Sequence, residues 1–316
     1  MKHAIIGASG QVGGYLYRTL THLGEEVKGT YYRHPDPSLS ELDIIREADV
    51  RLYRTLTHLG EEVEGTYYRH PDPSLSELDI IREADVRKFF DALRPDVVWI
   101  PAAMANVDQC QNEPGESYRY NVLGPRFVAE SAVKRGGRVV FFSTDYVFDG
   151  LNGPYTEEAR VRPIQVYGEH KAEIEGFLLR EIPHTLIIRP AWIYSRDENP
   201  RNFVYRVLEQ LRAGKPIKAV TDQVNTPTPS EGLVKIAWQA VQDGFEGVLH
   251  IAGPERLTRY ELTRRIARAF GYDANLVEPV TTESFHLPAP RPSNGGLITQ
   301  YEAYRMEPGR DFSPIF

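Results

Sequence analysis

The chain reads as an α/β protein: a doubly wound parallel sheet followed by a smaller C-terminal lobe. Three observations predict this. Short apolar runs alternate with helical patterns through the first two-thirds of the sequence, the order that builds a parallel sheet covered on both faces. The first of these runs ends in a glycine triad that opens a helix. From Asn199 onward the alternation weakens into helices separated by Pro-rich loops. A length of 316 residues suits two domains, divided here as 1–195 and 196–316.

The elements follow in order. Lys2–Gly7 is a short apolar run and reads as a buried strand. The next helix places Val12, Leu16, Leu20 and Leu23 on one face and ends at Gly24. Glu26–Tyr32 follows as a second strand, then a Pro-rich turn over His34–Pro37. A helix over Asp85–Leu93, capped by Asp85, leads into the strand Asp96–Ile100. Further strands are expected at Arg138–Phe142 and Thr185–Ile188, with helices between them at Glu116–Lys134 and His170–Leu179. The lobe carries helices near Phe203–Ala213, Glu231–Gln242 and Arg259–Phe270.

One irregularity lies inside the first domain. Leu16–Arg51 and Leu52–Arg87 are the same 36-residue segment twice, differing only at Lys28 against Glu64. Solenoid repeats need about three or more units and usually diverge. Two near-identical copies read instead as a recent in-frame duplication or an error in the gene sequence. Connectivity predicts a splice that uses the second strand of the first copy and the Asp85 helix of the second. The insert would then fall roughly between residues 34 and 70.

Composition narrows the function classes. With 41% apolar and 26% charged residues the chain is globular rather than disordered or low-complexity. A net charge of −7 argues against nucleic acid or an anionic membrane as the main partner. No run approaches the ~18 apolar residues of a membrane span. A single cysteine, Cys110, forms no internal disulfide and fits a reducing, cytoplasmic setting.

Gly7, Gly10 and Gly13 follow a strand and open a helix, the context in which glycine spacing carries meaning. The chain turns tightly at Gly7, a pyrophosphate approaches the backbone near Gly10, and the helix packs closely at Gly13. Backbone N–H groups of the turn (Ser9, Gly10, Gln11, Val12) and the positive helix end would hold the phosphates. A GxxGxxG triad alone is weak and also suits any tight strand–helix turn; its place after the first strand turns it toward a nucleotide. The second strand ends in Thr30-Tyr-Tyr-Arg33, with no acidic residue to bind a ribose diol. Tyr32 and Arg33 therefore favour NADP(H), with NAD(H) the alternative, because Arg33 can pair with a 2′-phosphate. Asp85 and Val86 complete the cofactor set drawn from the second copy.

A second constellation handles protons. Ser143–Phe148 closes an apolar strand, where open α/β sheets bind ligands. Tyr167 and Lys171 stand at i and i+4 on one helix face. An ammonium beside a phenol lowers the phenol pKa toward working pH, and Thr144 can share the same substrate oxygen. A Tyr-x-x-x-Lys pair alone also suits a surface tyrosine packed along a lysine stem. Together with the glycine triad and strand-end threonine, in this order, it is far more specific.

These pieces resemble the extended short-chain dehydrogenase/reductases, and within them the dTDP-4-dehydrorhamnose reductase group. The resemblance is carried by Gly7–Gly13, Pro101–Asp108, Tyr120–Val122, Ser143–Phe148, Tyr167–Lys171, Arg189–Tyr194 and Arg291–Asn294. It implies a Rossmann domain with a sugar-nucleotide-binding lobe, Tyr167 as general acid to a ketone, Thr144 as its partner, and Lys171 as phenol tuner and ribose ligand. It further implies Ala102 and Ala103 lining the cofactor cleft and Asn121 supporting the site. Asn106, Val107, Asp145, Tyr146, Trp192 and Arg291 would meet the substrate, the arginine at its diphosphate.

The reading is therefore NADPH-dependent reduction of a 4-keto-deoxysugar nucleotide. Two alternatives stand beside it: an epimerase or dehydratase of the same superfamily, and a non-catalytic NADP-binding subunit resembling the methionine adenosyltransferase beta subunit. A homodimer is left open, and no metal site is expected, since none of the nine histidines has a metal-ligand spacing. Cys110 reads as a bystander, His170 as solvent-exposed, and the arginines of Arg259–Arg268 as the solvated face of an amphipathic helix.

Overall fold

The computed structural model describes residues 1–7, 11–31, 76–195 and 202–308. Its centre is a seven-stranded parallel sheet. In chain order it contains β1 (Lys2–Ile6), α1 (Gln11–His22), β2 (Glu26–Tyr31), β3 (Ser76–Glu77), α2 (Glu83–Leu93) and β4 (Val97–Ile100). After β4 come α3 (Val107–Asn112), α4 (Pro114–Tyr118), a π-turn (Arg119–Leu123), α5 (Gly124–Val133) and β5 (Arg138–Phe142). Then follow α6 (Val166–Glu181), β6 (Leu186–Arg189) and β7 (Ile193–Tyr194). Beyond residue 195 come α7 (Phe203–Arg212), β8 (Ile217–Val220), β9 (Val224–Asn225), β10 (Thr228–Pro229), α8 (Ser230–Gln242), β11 (Gly247–His250), β12 (Leu257–Thr258), α9 (Arg259–Ala269) and β13 (Val277–Val280).

The strands lie side by side as β11-β6-β5-β4-β1-β2-β3. β2 comes from the first copy of the duplicated segment, whereas β3 and the first turn of α2 come from the second; residues 32–75 lie outside the described set. β11 pairs with β6, so the sheet takes a strand from beyond residue 195.

Period-two alternation sorts the core onto two faces. Ile5, Trp99, Val140 and Ile188 face α1 and α8, while Ile6, Val98, Phe141 and Ile187 face α2, α5 and α6. Every one of these strand residues is buried, as expected where helices cover both sides. A separate apolar cluster, with Val207, Leu211, Leu262 and Ile266, holds α7 and α9 against β8 and β13.

Several expected boundaries shift. Leu16 and Leu20 are buried on α1, but Leu23 lies past the helix end and is half exposed. The helix over Asp85–Leu93 starts two residues earlier, with Arg82 at its N-cap, so Asp85 sits in the first turn and caps nothing. The single helix expected over Glu116–Lys134 is interrupted by the π-turn. Pro125 has no N–H to give and its ring crowds the carbonyl four residues back, so the ladder widens there. Gly124 lets this segment press on Ile80, whose Cδ1 would lie 2.6 Å from a Cβ at that position.

A buried ion pair ties α6 to the sheet. Arg189 Nε and Nη2 donate to Glu175 Oε1 and Oε2 at 2.9 and 2.6 Å, with both side chains 4% exposed. Arg189 Nη1 also approaches His250 Nε2 on β11 at 3.3 Å. Glu157 accepts from the His250 backbone N–H and from the Thr299 hydroxyl, extending the network into two loops. Removing one member strands the other in a dry interior. Glu175→Gln is expected to cost about 3–5 kcal/mol in urea unfolding; an unchanged midpoint would show that the pair does not brace the helix.

Candidate active site

The site lies at the carboxyl ends of the parallel strands, where the connections diverge to opposite faces. β1 ends at Gly7, whose φ of +89° favours glycine. A Cβ there would also stand 2.8 Å from the Ala102 Cβ, because the chain leaving β4 runs alongside. α1 begins at Gln11 with no acidic side chain in its first turn, which leaves the positive helix end to an anion. Gln11 Nε2 donates to the hydroxyls of Ser195 (3.0 Å) and Ser230 (3.3 Å), tying this turn to β7 and α8. Val12 is half-buried, Gly13 is buried, and Ala102 and Ala103 are half-buried. A positive-φ glycine, an uncompensated helix end and two small residues suit the pyrophosphate of a dinucleotide. Ser9, Gly10, Tyr32 and Arg33 lie outside the described residues.

Asp85 and Val86 do not join this group. Asp85 points to solvent within 4.0 Å of Arg82, and Val86 is wholly buried on the core-facing side of α2, with no surface to offer a ligand. The acid just beyond the end of β3 is instead Asp79, whose Oδ1 accepts the Ile81 N–H at 3.2 Å. The repeated segment contains several acids, so spacing alone did not single this one out.

β5 delivers Ser143 and Thr144 to the strand end, and α6 delivers Tyr167 and Lys171. The helix starts at Val166 because Gln165 caps it, its side chain accepting the Gly168 N–H at 2.7 Å. Gly168 is essential to the approach: a Cβ there would meet the Tyr146 carbonyl oxygen at 2.1 Å. Thr144, Tyr167 and Lys171 are all buried. Thr144 Oγ1 accepts from the Tyr146 N–H at 3.2 Å and donates to Asp145 Oδ1 at 3.3 Å. Lys171 Nζ donates to the Phe142 carbonyl at 2.7 Å and lies 4.3 Å from the centre of the Phe141 ring.

Burial dominates the electrostatics. It pushes the Tyr167 phenol above its ordinary value of 10, and the fields of Cys110 and Asp145 add to the rise while Thr144 opposes it. The phenol therefore stays protonated across the working range, in contrast to the lowering expected from Lys171 alone. Lys171 is itself pushed down to about 7 by burial, against the pull of Glu175. Asp145 is raised to about 6 by burial, with Asn225 and Thr144 opposing through hydrogen bonds. Asn225 Nδ2 donates to Asp145 Oδ2 at 2.7 Å.

The expected substrate residues separate into those at the site and those otherwise engaged. Tyr146 is half-buried, its ring 6.3 Å from that of Tyr167. Trp192 is half-buried on the lobe side with a φ of +34°, a sparsely populated conformation that concentrates at functional sites. Asn106 is exposed and spends its side chain capping α3, accepting the Gln109 N–H at 3.1 Å; Val107 is half-buried at the start of that helix. Arg291 is ion-paired with Asp108 at 2.7 Å and donates to the Ala289 carbonyl at 2.8 Å. Asn121, in the π-turn, accepts the Met104 N–H (2.9 Å) and donates to the Met104 carbonyl (3.1 Å), holding the chain after β4.

Three quieter residues also find their places. His170 is not solvent-exposed: it is half-buried, with Nδ1 2.8 Å from the Ser117 hydroxyl, because α4 packs over that side of α6. Cys110 is buried and its thiol is pushed up by that burial, which disfavours the reactive thiolate. The arginines of α9 are not all on a solvated face, since Arg259 turns inward onto Trp192.

Two outcomes test this arrangement. Gly168→Ala should displace Tyr167 from Thr144 and lower turnover by ~10²-fold while circular dichroism stays native; full activity would mean that the contact is relaxed without cost. A carboxyl whose folded pKa is about 6 and whose ordinary value is 3.8 contributes stability that is lost as pH rises through 6. Asp145→Asn should therefore be more stable than wild type above pH 6, by ~3 kcal/mol at most. Parallel stability curves for the two proteins between pH 4 and 7, measured by urea melts, would refute that charge cost.

Residues 1–307 match the family described as RmlD substrate binding domain. Over 232 residues the chain is 31% identical to a dTDP-4-dehydrorhamnose reductase of Aggregatibacter actinomycetemcomitans, covering 69% of this chain and 78% of that protein. The crystal structure of a dTDP-4-dehydrorhamnose reductase from Clostridium acetobutylicum is 28% identical, with a TM-score of 0.75 over 96% of this chain and 91% of that one. A Bacillus anthracis dTDP-4-dehydrorhamnose reductase, solved in complex with NADP, is 26% identical, with a TM-score of 0.74 over 94% and 90% of the two chains. With a match over nearly its whole length and one fold throughout, the chain belongs to the RmlD substrate binding domain family, among the extended short-chain dehydrogenase/reductases.

Proposed function

We propose that this chain uses NADPH to reduce the 4-keto group of a dTDP-linked deoxysugar, as the names of its relatives indicate for those proteins. The observation that carries the reading is a buried tyrosine held in its protonated form, beside a threonine hydroxyl and one helical turn from a buried lysine. A ketone reduction needs a proton donor that is protonated before the reaction, and burial of Tyr167 supplies one.

Gly7, Gln11, Gly13, Ala102 and Ala103 would hold the cofactor, and its dihydronicotinamide supplies a hydride when bound. Tyr167 passes its proton to the carbonyl oxygen as negative charge develops there. Thr144, held by the Tyr146 N–H, would turn its one hydroxyl proton from Asp145 to that oxygen and so orient it against the phenol. Lys171, pinned by the Phe142 carbonyl, presents its remaining N–H donors to ribose hydroxyls. Tyr146 and Trp192 wall the substrate side and keep water from the transfer.

The assay is loss of NADPH absorbance on adding dTDP-4-dehydrorhamnose. One NADPH should be consumed per substrate, and Tyr167→Phe should cut turnover by about 10²–10⁴-fold. Full turnover in Tyr167→Phe would remove the tyrosine from the mechanism. Isomerised product without net NADPH loss would replace reduction with epimerisation.

A further inference from the structure

Arg259 opens α9, and its backbone is anchored: its N–H donates to the Gln223 carbonyl at 3.3 Å, and its carbonyl accepts the Thr263 hydroxyl at 2.7 Å. The side chain is half-buried and turned onto two aromatic rings. Its guanidinium carbon lies 3.6 Å from the centre of the Trp192 ring and 4.5 Å from that of Phe203. Such stacking uses the π-face of the planar group and leaves its five N–H donors, which lie in the plane, unspent.

Among the described residues no carboxylate forms an ion pair with this guanidinium, and its side chain makes no hydrogen bond. Two nearby arginines are neutralised, Arg189 by Glu175 and Arg291 by Asp108. Burial pushes Arg259 down to about 10; Tyr146 and Asp145 support its charge, and Arg206 on α7 works against it. A cation shielded from water without a counter-ion is costly, and such sites are where anionic ligands bind. Trp192, the ring beneath it, carries the positive φ noted above, and its buried indole N–H is directed at the Tyr146 hydroxyl.

We propose that Arg259, clamped by Trp192 and Phe203, is the cation that receives the diphosphate of the sugar nucleotide. This rests on the sugar-nucleotide reading above and reassigns a role that the sequence gives to Arg291. The planar fork matches phosphoryl oxygens, and the aromatic clamp fixes its orientation before the ligand arrives. Arg291 then serves to join the 289–291 segment to α3 through Asp108.

The experiment is calorimetric titration of the full chain with dTDP, and with thymidine in competition, for wild type, Arg259→Gln, Arg259→Lys and the exposed control Arg268→Gln. Arg259→Gln should lose about 10- to 100-fold in dTDP affinity while its thymidine affinity stays at the wild-type level. Arg259→Lys should recover part of the loss, and Arg268→Gln should match wild type. Unchanged dTDP affinity in a folded Arg259→Gln protein overturns this assignment alone. Equal losses for dTDP and thymidine with a lowered Tm would make Arg259 a brace for Trp192 and overturn it too. A wild type that does not bind dTDP overturns both this assignment and the nucleotide reading beneath it.

Discussion

Helix α6 meets the 144–146 loop so closely that only a glycine at 168 leaves room for the Tyr146 carbonyl oxygen, which would lie 2.1 Å from a Cβ. That contact sets where Tyr167 stands relative to Thr144. Gln165 fixes the start of the helix, and the Glu175–Arg189 pair fixes its roll two turns later. A helix held at both places cannot slide along β5 or rotate without breaking a buried charge pair. Thr144, Tyr167 and Lys171 are therefore positioned from a rigid element and a strand end rather than from loops.

Burial then determines the protonation states. Tyr167, Lys171 and Asp145 all move in the direction that removal from water dictates, and neighbouring charges or hydrogen bonds only trim the result. The outcome is a site whose tyrosine stays protonated and whose lysine is poised near neutrality. Arg259 shows the same cost of burial, eased by the aromatic rings it stacks on and by the fields of Tyr146 and Asp145, with no carboxylate in ion-pair contact among the described residues. Asp145 joins the two regions, accepting from Thr144 on one oxygen and from Asn225 of the lobe on the other.

The duplicated segment bears on this frame without entering the catalytic group. The sheet takes β2 from one copy and β3, with the first turn of α2, from the other. Ile80 and Val86 of the second copy pack in the core with α5, and Gly124 is shaped to accept Ile80. The second copy thus contributes core, while the phosphate turn belongs to the segment before the first.

Residue order by itself determined the parallel α/β class, because apolar runs of strand length separated by helical periods have few other ways to bury both faces. It also determined the strand-end threonine and the Tyr167–Lys171 helix face, since both depend on local spacing. What it left undecided were contacts between distant segments. The π-turn at Asn121, the engagement of His170 by Ser117, and the close pass of Gly168 by Tyr146 appear only when α4, α5 and α6 are assembled. Asp108 lies 183 residues before Arg291, and no periodicity announces that the two will pair. Which arginine keeps a usable charge is decided by which carboxylates the folded chain brings near, and that is a property of tertiary structure alone.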